Sequence, residues 1–297
     1  MPKLIMLVGP PGSGKSTKAL EFTNPNGLNE FDNRVFDYIN QDTQGKDHLK
    51  LFTDFIAMGT DILIDRMNFN KIQRDRYLVP AKAAGYSTEI IVLHENYETC
   101  LQRCVNRIGN HPTIATEQDA KSALNTFFSK YERVQDDEAD VVTRMWSEGA
   151  KDTAIWVDVD NTLSDATHRE HFLQNGKKNW KGFFDAMGDD PINQWCLDLI
   201  SGMINNYQVL ICSARPDNYR PQTIKWLDKN NVPFNKLIMR PRNDSRRDDI
   251  VKEIMYEFEV KTKYNLLFSV DDRKQVIDRI RSHGVTVLDC AGEKGHF

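Results

Sequence analysis

The stretch "LIMLVGPPGSGKST" (residues 4–17) limits the fold more than any other. Five apolar residues in a row suit a strand covered on both faces, and the glycine-rich run after them suits a tight loop opening into a helix. Such a unit needs parallel partners. They are legible at "ILI" (62–64) and "IIVL" (90–93), while residues 71–84 and 116–134 carry helical spacing. A second series of strand-like runs starts at "AIWVDV" (154–159) and continues through "VLICS" (209–213), "LLFSV" (266–270) and "VTVL" (285–288). The expected fold class is therefore α/β twice over, with a P-loop domain over residues 1–150 and a second, distinct sheet over 151–297. The acidic, then glycine-containing stretch "QDDEADVVTRMWSEGAKD" (135–152) reads as the connection between them.

Bulk properties exclude several classes. The net charge is −4, so any polyanion must be held by local patches. Apolar runs stop near five residues, against about 20 for a membrane span, and no secretory leader is visible. Cytoplasmic residence is expected. The five cysteines lack any CxxC pair and read as reduced thiols.

"GPPGSGKST" (9–17) fits G-x-x-x-x-G-K-[ST] through Gly9, Gly14, Lys15 and Ser16, with Gly12, Ser13 and Thr17 completing the nucleotide-binding stretch. Backbone N–H groups there would wrap phosphates, Lys15 would reach the β- and γ-phosphates, and Ser16 could hold Mg²⁺. A phosphoryl acceptor also needs a base. Asp42, just after an expected second strand, is the candidate, with a helix N-cap as the plainer alternative. Asp65, closing the strand at 62–64, could orient metal-bound water at Ser16 or the acceptor loop, or simply cap the strand. Arg103 and Arg107, four apart, read as a lid over the transferring phosphoryl group, with Gly109 as a hinge. A solvated helix face fits the same spacing.

"WVDVDNTLSD" (156–165) places two acids, Asp158 and Asp160, at the end of an apolar run. Side chains alternate along a strand, so both would face one side, where Mg²⁺ could relieve their repulsion. Asp158 could then attack phosphorus, with Asp160 protonating the leaving oxygen and later activating water. Ser213 ends the "VLICS" run and could bind a phosphate oxygen. Lys252 in "RRDDIVK" offers positive charge, and Asp271 and Asp272 in "FSVDDR" offer further carboxylates to the metal.

Other features are weaker. "HREH" (168–171) lacks a third zinc ligand. Trp180, Phe183 and Phe184 could stack on a base, although packing in a small cap accounts for them as well. The four arginines of "RPRNDSRR" (240–247) read as a nucleic-acid backbone contact, with a solvated loop as the alternative.

Taken in order, "GPPGSGKST", "INQD", Arg103/Arg107, "DVDNT", "SAR", "RRDDIVK" and "VDDR" resemble the phage polynucleotide 5′-kinase/3′-phosphatase family, whose second half is a phosphatase of the haloacid-dehalogenase (HAD) type. The resemblance implies a P-loop kinase domain followed by a HAD-like Rossmannoid domain, ATP as donor, Mg²⁺, RNA or DNA ends as substrates, no membrane, and a homo-oligomer, possibly a tetramer. It also implies Lys15 and Ser16 at ATP, Asp42 as general base, Arg103 and Arg107 as clamps, Asp158 as nucleophile and Arg215 on the substrate side. Two departures stand out. Asn161 replaces the glycine common in the DxDxT motif, where asparagine tolerates an unusual dihedral. Gly45 stands where relatives keep an acceptor-gripping arginine, which leaves Lys46, or else Arg34 or Arg74, for that work. The rival readings are a small-molecule kinase fused to a nucleotide phosphatase and a nucleotide-dependent scaffold.

Overall fold

The computed structural model describes residues 1–23, 35–110, 112–147, 149–174 and 178–291. They form two compact units, Met1–Glu148 and Gly149–Phe297. In the first, strands β1 (Lys3–Val8), β2 (Asp37–Asn40), β3 (Ile62–Asp65), β4 (Ser87–His94) and β5 (Val141–Trp146) pair in the order β2-β3-β1-β4-β5, and every pairing is parallel. Parallel strands need crossovers, which cover both faces and explain why β1 and β3 read as unbroken apolar runs. Helix Lys71–Ala83 starts at Asn70, whose side chain accepts from the Gln73 N–H, and helix Glu117–Lys130 starts with a Thr116/Asp119 capping box.

The second unit repeats the plan. Strands β6 (Asp152–Val157), β7 (Gln208–Pro216), β8 (Lys236–Arg240), β9 (Tyr264–Asp271) and β10 (Val287–Asp289) pair, all parallel, in the order β10-β9-β6-β7-β8. Strand alternation divides its core in two: Ile155 and Val157 pack with Trp226 and Leu227 on one face, while Ala154 and Trp156 pack with Val251 and Ile277 on the other. In both sheets the strand that comes first in sequence lies in the middle, with neighbours on either side. Ligands of such sheets bind beyond the carboxyl end of that strand. Here those ends lead into the glycine-rich loop at Gly9 and into Asp158.

Two strands escaped the sequence reading. "VVTRMW" is not part of a connection: it pairs in register with β4 from Glu89↔Val141 to His94↔Trp146. Only one of its faces packs, so its burial alternates and no apolar run marks it. The short strand "KLIMR" (β8) is the other. No helix among the described residues is long and apolar enough to cross a membrane.

Arg74 is a brace rather than an acceptor grip. Its guanidinium is fully buried, bidentate to Glu138 at 2.6 and 2.9 Å, and donates to the carbonyls of Asn68 and Glu132. Breaking a buried pair strands a charge, which costs about 3–5 kcal/mol. Arg74→Ala should lower the unfolding free energy of the first unit by about that amount in chemical denaturation.

Candidate active sites

The first site is built on the loop after β1. Gly12 has φ +80°, and a Cβ there would lie 2.5 Å from the Cys100 carbonyl oxygen. At Gly9 a Cβ would lie 2.8 Å from the Leu93 carbonyl oxygen. Only glycine fits such packing. Lys15 donates to the carbonyls of Gly9 (2.9 Å) and Pro10 (2.7 Å), and burial lowers its pKa against the pull of Asp65. Ser16 Oγ donates to Asp65 Oδ2 at 2.9 Å, and Tyr38 OH donates to the same oxygen at 2.6 Å. Ser13 Oγ is buried with no hydrogen-bond partner, while Thr17 is exposed in the first turn of helix Lys15–Thr23.

A cavity of about 460 Å³ opens here, lined by Gly12, Gly14, Lys15 and Ser16 together with Asp42, Asp65, Arg66 and Arg107. Asp42 is not an N-cap. Asn40 caps helix Gln41–Gln44 by accepting from the Asp42 N–H, which leaves the Asp42 carboxylate exposed and accepting from Thr113 Oγ1 at 3.3 Å. The two lid arginines do not share a helical face, because helix Tyr97–Val105 ends before Arg107. Arg107 lies in the following turn and lines the cavity. Arg103 pairs with Glu95 (3.1 Å) and donates to the Gly12 carbonyl (3.2 Å), so it braces the loop.

The acceptor side differs from expectation. Lys46 is exposed in the single turn Gly45–Asp47 and does not line the cavity. Gly45 has φ +55° and ψ −128°, so a side chain placed there would be strained. Arg34 lies outside the described residues. Arg66, which the sequence reading passed over, does line the cavity. It donates to Tyr77 OH at 2.8 Å and to Gln41 Oε1, and its Nε is buried without a partner. Its position directly after the strand-end Asp65 was the available signal.

In the second unit, Asp158, Asp271 and Asp272 bring carboxylate oxygens within 4.8 Å of one another, all buried. Lys252 lies between two of them, 2.8 Å from Asp158 and 2.6 Å from Asp271. Burial alone would lower its pKa, but the two carboxylates outweigh that and raise it. Three carboxylates against one ammonium leave an excess of negative charge. Burial and then Asp271 push Asp272 up to about 6, and burial with the same neighbours raises Asp158. This donor set, all oxygen and over-charged, fits a hard divalent cation.

Asp160 does not join that cluster. Arg215 grips it through Nε (3.1 Å) and Nη2 (2.6 Å), and Arg169 donates to the same carboxylate. Burial would raise its pKa, yet the two guanidiniums hold it well below the usual carboxylate range. Its carboxylate thus stands apart from the group formed by Asp158, Asp271 and Asp272. Both arginines also bind Asp190, which accepts from His168 as well, so His168 and Arg169 of "HREH" belong to a charge network around Asp190. Arg169 and Asp190 were missed because only the fold brings them to Asp160. Ser213 is fully buried, and its Oγ accepts from the Arg215 N–H at 3.2 Å. Arg215 keeps a buried Nη1 with no partner.

The arginine-rich stretch is not a free basic patch. Arg240 binds Asp248 and three backbone carbonyls, Arg246 pairs with Asp244, and Arg247 pairs with Asp249. Three of the four are spent on acids within eight residues of themselves. Asn161 has φ +62°, and its Oδ1 accepts from the Ala166 N–H at 3.0 Å.

Residues 152–297 match the family model for the phosphatase domain of polynucleotide kinase PNKP, and residues 4–134 match that of an AAA domain. A protein of Autographa californica nuclear polyhedrosis virus, named "Putative bifunctional polynucleotide kinase/RNA ligase", is 22% identical over 299 residues, which are 93% of this chain and 40% of that protein. The Arabidopsis thaliana transcription factor bHLH140 is 31% identical over 115 residues, 37% of this chain and 12% of that protein. The chain thus spans less than half the length of these relatives. A chain of the Pnkp1/Rnl/Hen1 RNA repair complex aligns over 97% of this chain and 95% of its own length, at 23% identity and a TM-score of 0.41. Kti12 of Chaetomium thermophilum, in complex with ADP-AlF3, aligns over 48% of this chain and 88% of its own, at 17% identity and a TM-score of 0.38. The chain therefore joins a stretch matching the PNKP phosphatase-domain model to one matching an AAA-domain model.

Proposed function

We propose that the chain heals nucleic-acid ends, its first unit transferring the γ-phosphate of ATP to a 5′-hydroxyl of RNA or DNA and its second hydrolysing a 3′-phosphate. One observation carries the reading: a cluster of acids and a lysine, in a unit matching the PNKP phosphatase-domain model, shares the chain with a cavity lined by Lys15, Ser16 and Asp42. In the first unit, Lys15 exchanges the Gly9 and Pro10 carbonyls for β- and γ-phosphate oxygens. Asp42 takes the proton of the attacking 5′-hydroxyl, and Arg107 offsets charge on the transferring group. Ser16 with Asp65, and Asp158 with Asp271 and Asp272, would hold Mg²⁺, which would neutralise charge at the phosphates.

In the second unit, the Asp158 carboxylate attacks phosphorus while Lys252 holds it in place. Ser213 and the unpartnered Nη1 of Arg215 donate to phosphate oxygens. As Arg215 turns to the phosphate, Asp160 loses part of its positive surroundings and its proton affinity rises. It can then pass a proton taken from solvent to the departing 3′-oxygen, and afterwards take one from the water that attacks the phosphorus on Asp158, which frees inorganic phosphate and restores the Asp158 carboxylate. The family resemblance adds a homo-oligomer, a tetramer, which sedimentation of the intact chain would measure.

Labelled ATP offered with an oligonucleotide carrying a 5′-hydroxyl and a 3′-phosphate, beside free nucleosides and sugars, tests the whole reading. Label appearing on a nucleoside or sugar instead would favour a small-molecule kinase. Lys15→Ala should lower 5′ phosphorylation at least about hundredfold and spare 3′-phosphate release, with Asp158→Asn doing the reverse. Loss of both activities in either folded variant would contradict two independent sites. Chelation by EDTA should stop both reactions and added Mg²⁺ should restore them, so phosphatase turnover that persists in EDTA would remove the aspartate-and-metal mechanism. Varying acceptor and ATP separately should show Arg66→Ala raising the acceptor KM with little change in that for ATP, while Lys46→Ala leaves both in place. The opposite pattern would return the acceptor grip to Lys46.

A further inference from the structure

A run of aromatic rings starts at the acids of the second unit. Arg169, bonded to Asp160, lies with its guanidinium carbon 4.1 Å from the centre of the Phe183 ring. Phe183 is buried and meets both Trp180 (5.9 Å) and Phe184 (5.4 Å) edge-on. Trp180 and Phe184 are nearly parallel, at 22° and 5.9 Å, and Tyr219 packs on Phe184 at 5.1 Å. The run ends at the surface, where Trp180 is 45% exposed. Core packing therefore accounts for Phe183 and leaves Trp180 unexplained.

The support under this ring is fixed. Helix Trp180–Asp185 is capped by Asn179, whose side chain accepts from the Gly182 N–H. A Cβ at Gly182 would come within 2.7 Å of the Phe172 ring, so the helix backbone lies directly on Phe172. A large ring held in place loses little freedom on binding a flat partner. Lys178 places its ammonium 5.8 Å from the centre of the Trp180 ring, and as a surface lysine it can turn to a phosphodiester. An exposed aromatic face beside a cation is the pairing that binds single-stranded nucleic acid without regard to sequence.

We propose that Trp180 is a stacking platform for a nucleobase of the strand whose 3′ end enters the phosphatase site. The inference rests on the function proposed above and adds to it the recognition of a base near the 3′-phosphate. The exposed Trp195 offers a contrast: it is 48% exposed and has no ring contact among the described residues.

Three substrates test it: an oligonucleotide 3′-phosphate, the same oligonucleotide with its last two positions abasic, and p-nitrophenyl phosphate. Trp180→Ala should raise the KM for the first about tenfold with kcat little changed, as the loss of one stacked base implies. The variant should match the wild type on the other two substrates. Trp180→Phe should keep most of the affinity, and Trp195→Ala should behave as wild type. An unchanged KM for the oligonucleotide in Trp180→Ala overturns the platform, as does an equal loss on p-nitrophenyl phosphate, which would mark a role in holding the fold. Failure of the functional reading looks different: the wild type would hydrolyse p-nitrophenyl phosphate and ignore the oligonucleotide.

Discussion

The second unit depends on Lys252. Three buried carboxylates, Asp158, Asp271 and Asp272, come together because strands β6 and β9 are neighbours and both end at the same edge of the sheet. That convergence is useful chemistry and poor electrostatics. A single ammonium wedged between Asp158 and Asp271 makes the arrangement tolerable, while Asp160, only two residues on, draws its compensation from Arg215 and Arg169. Two adjacent acids thus sit in opposite electrical surroundings. Burial and its acidic neighbours push Asp158 towards holding a proton, while the two guanidiniums hold Asp160 away from one.

The first unit solves a related problem with backbone. Its loop must offer N–H groups to an anion, and close packing of Gly9 and Gly12 against the carbonyls of Leu93 and Cys100 fixes the loop against β4 and the helix that follows it. Arg103 adds a bond to the Gly12 carbonyl and takes its own counter-charge from Glu95. The loop is therefore held on its outer side by residues far from it in sequence, while Asp65 fixes Ser16 on its inner side.

What could be read from the sequence was what is written contiguously. The glycine-rich loop and the two-acid run each declare a strand and a loop within about a dozen residues, and the parallel sheets follow from their spacing. Arg169 and Asp190 were not legible, because their side-chain partners lie 9 to 26 residues away, and neither was Arg66, because its meaning comes from a cavity wall. The arginine-rich stretch misled for a different reason. Its acids, Asp244, Asp248 and Asp249, were in plain view beside the arginines, but only the turn between β8 and the helix after it shows that the charges fold back on each other. Lys46 failed likewise, since nearness to Asp42 in sequence did not place it in the same cavity.

Asn161 carries a consequence for the chain before it folds. A glycine at that left-handed position would allow the turn freely, but it would also give the unfolded chain the largest backbone freedom to lose. Asparagine accepts some backbone penalty at φ +62° and recovers part of it through the bond from the Ala166 N–H to its side chain. The turn that carries the two acids is thus specified by the side chain as well as by the sheet around it. Its unfolded ensemble is already narrowed at the point where Asp158 and Asp160 must part.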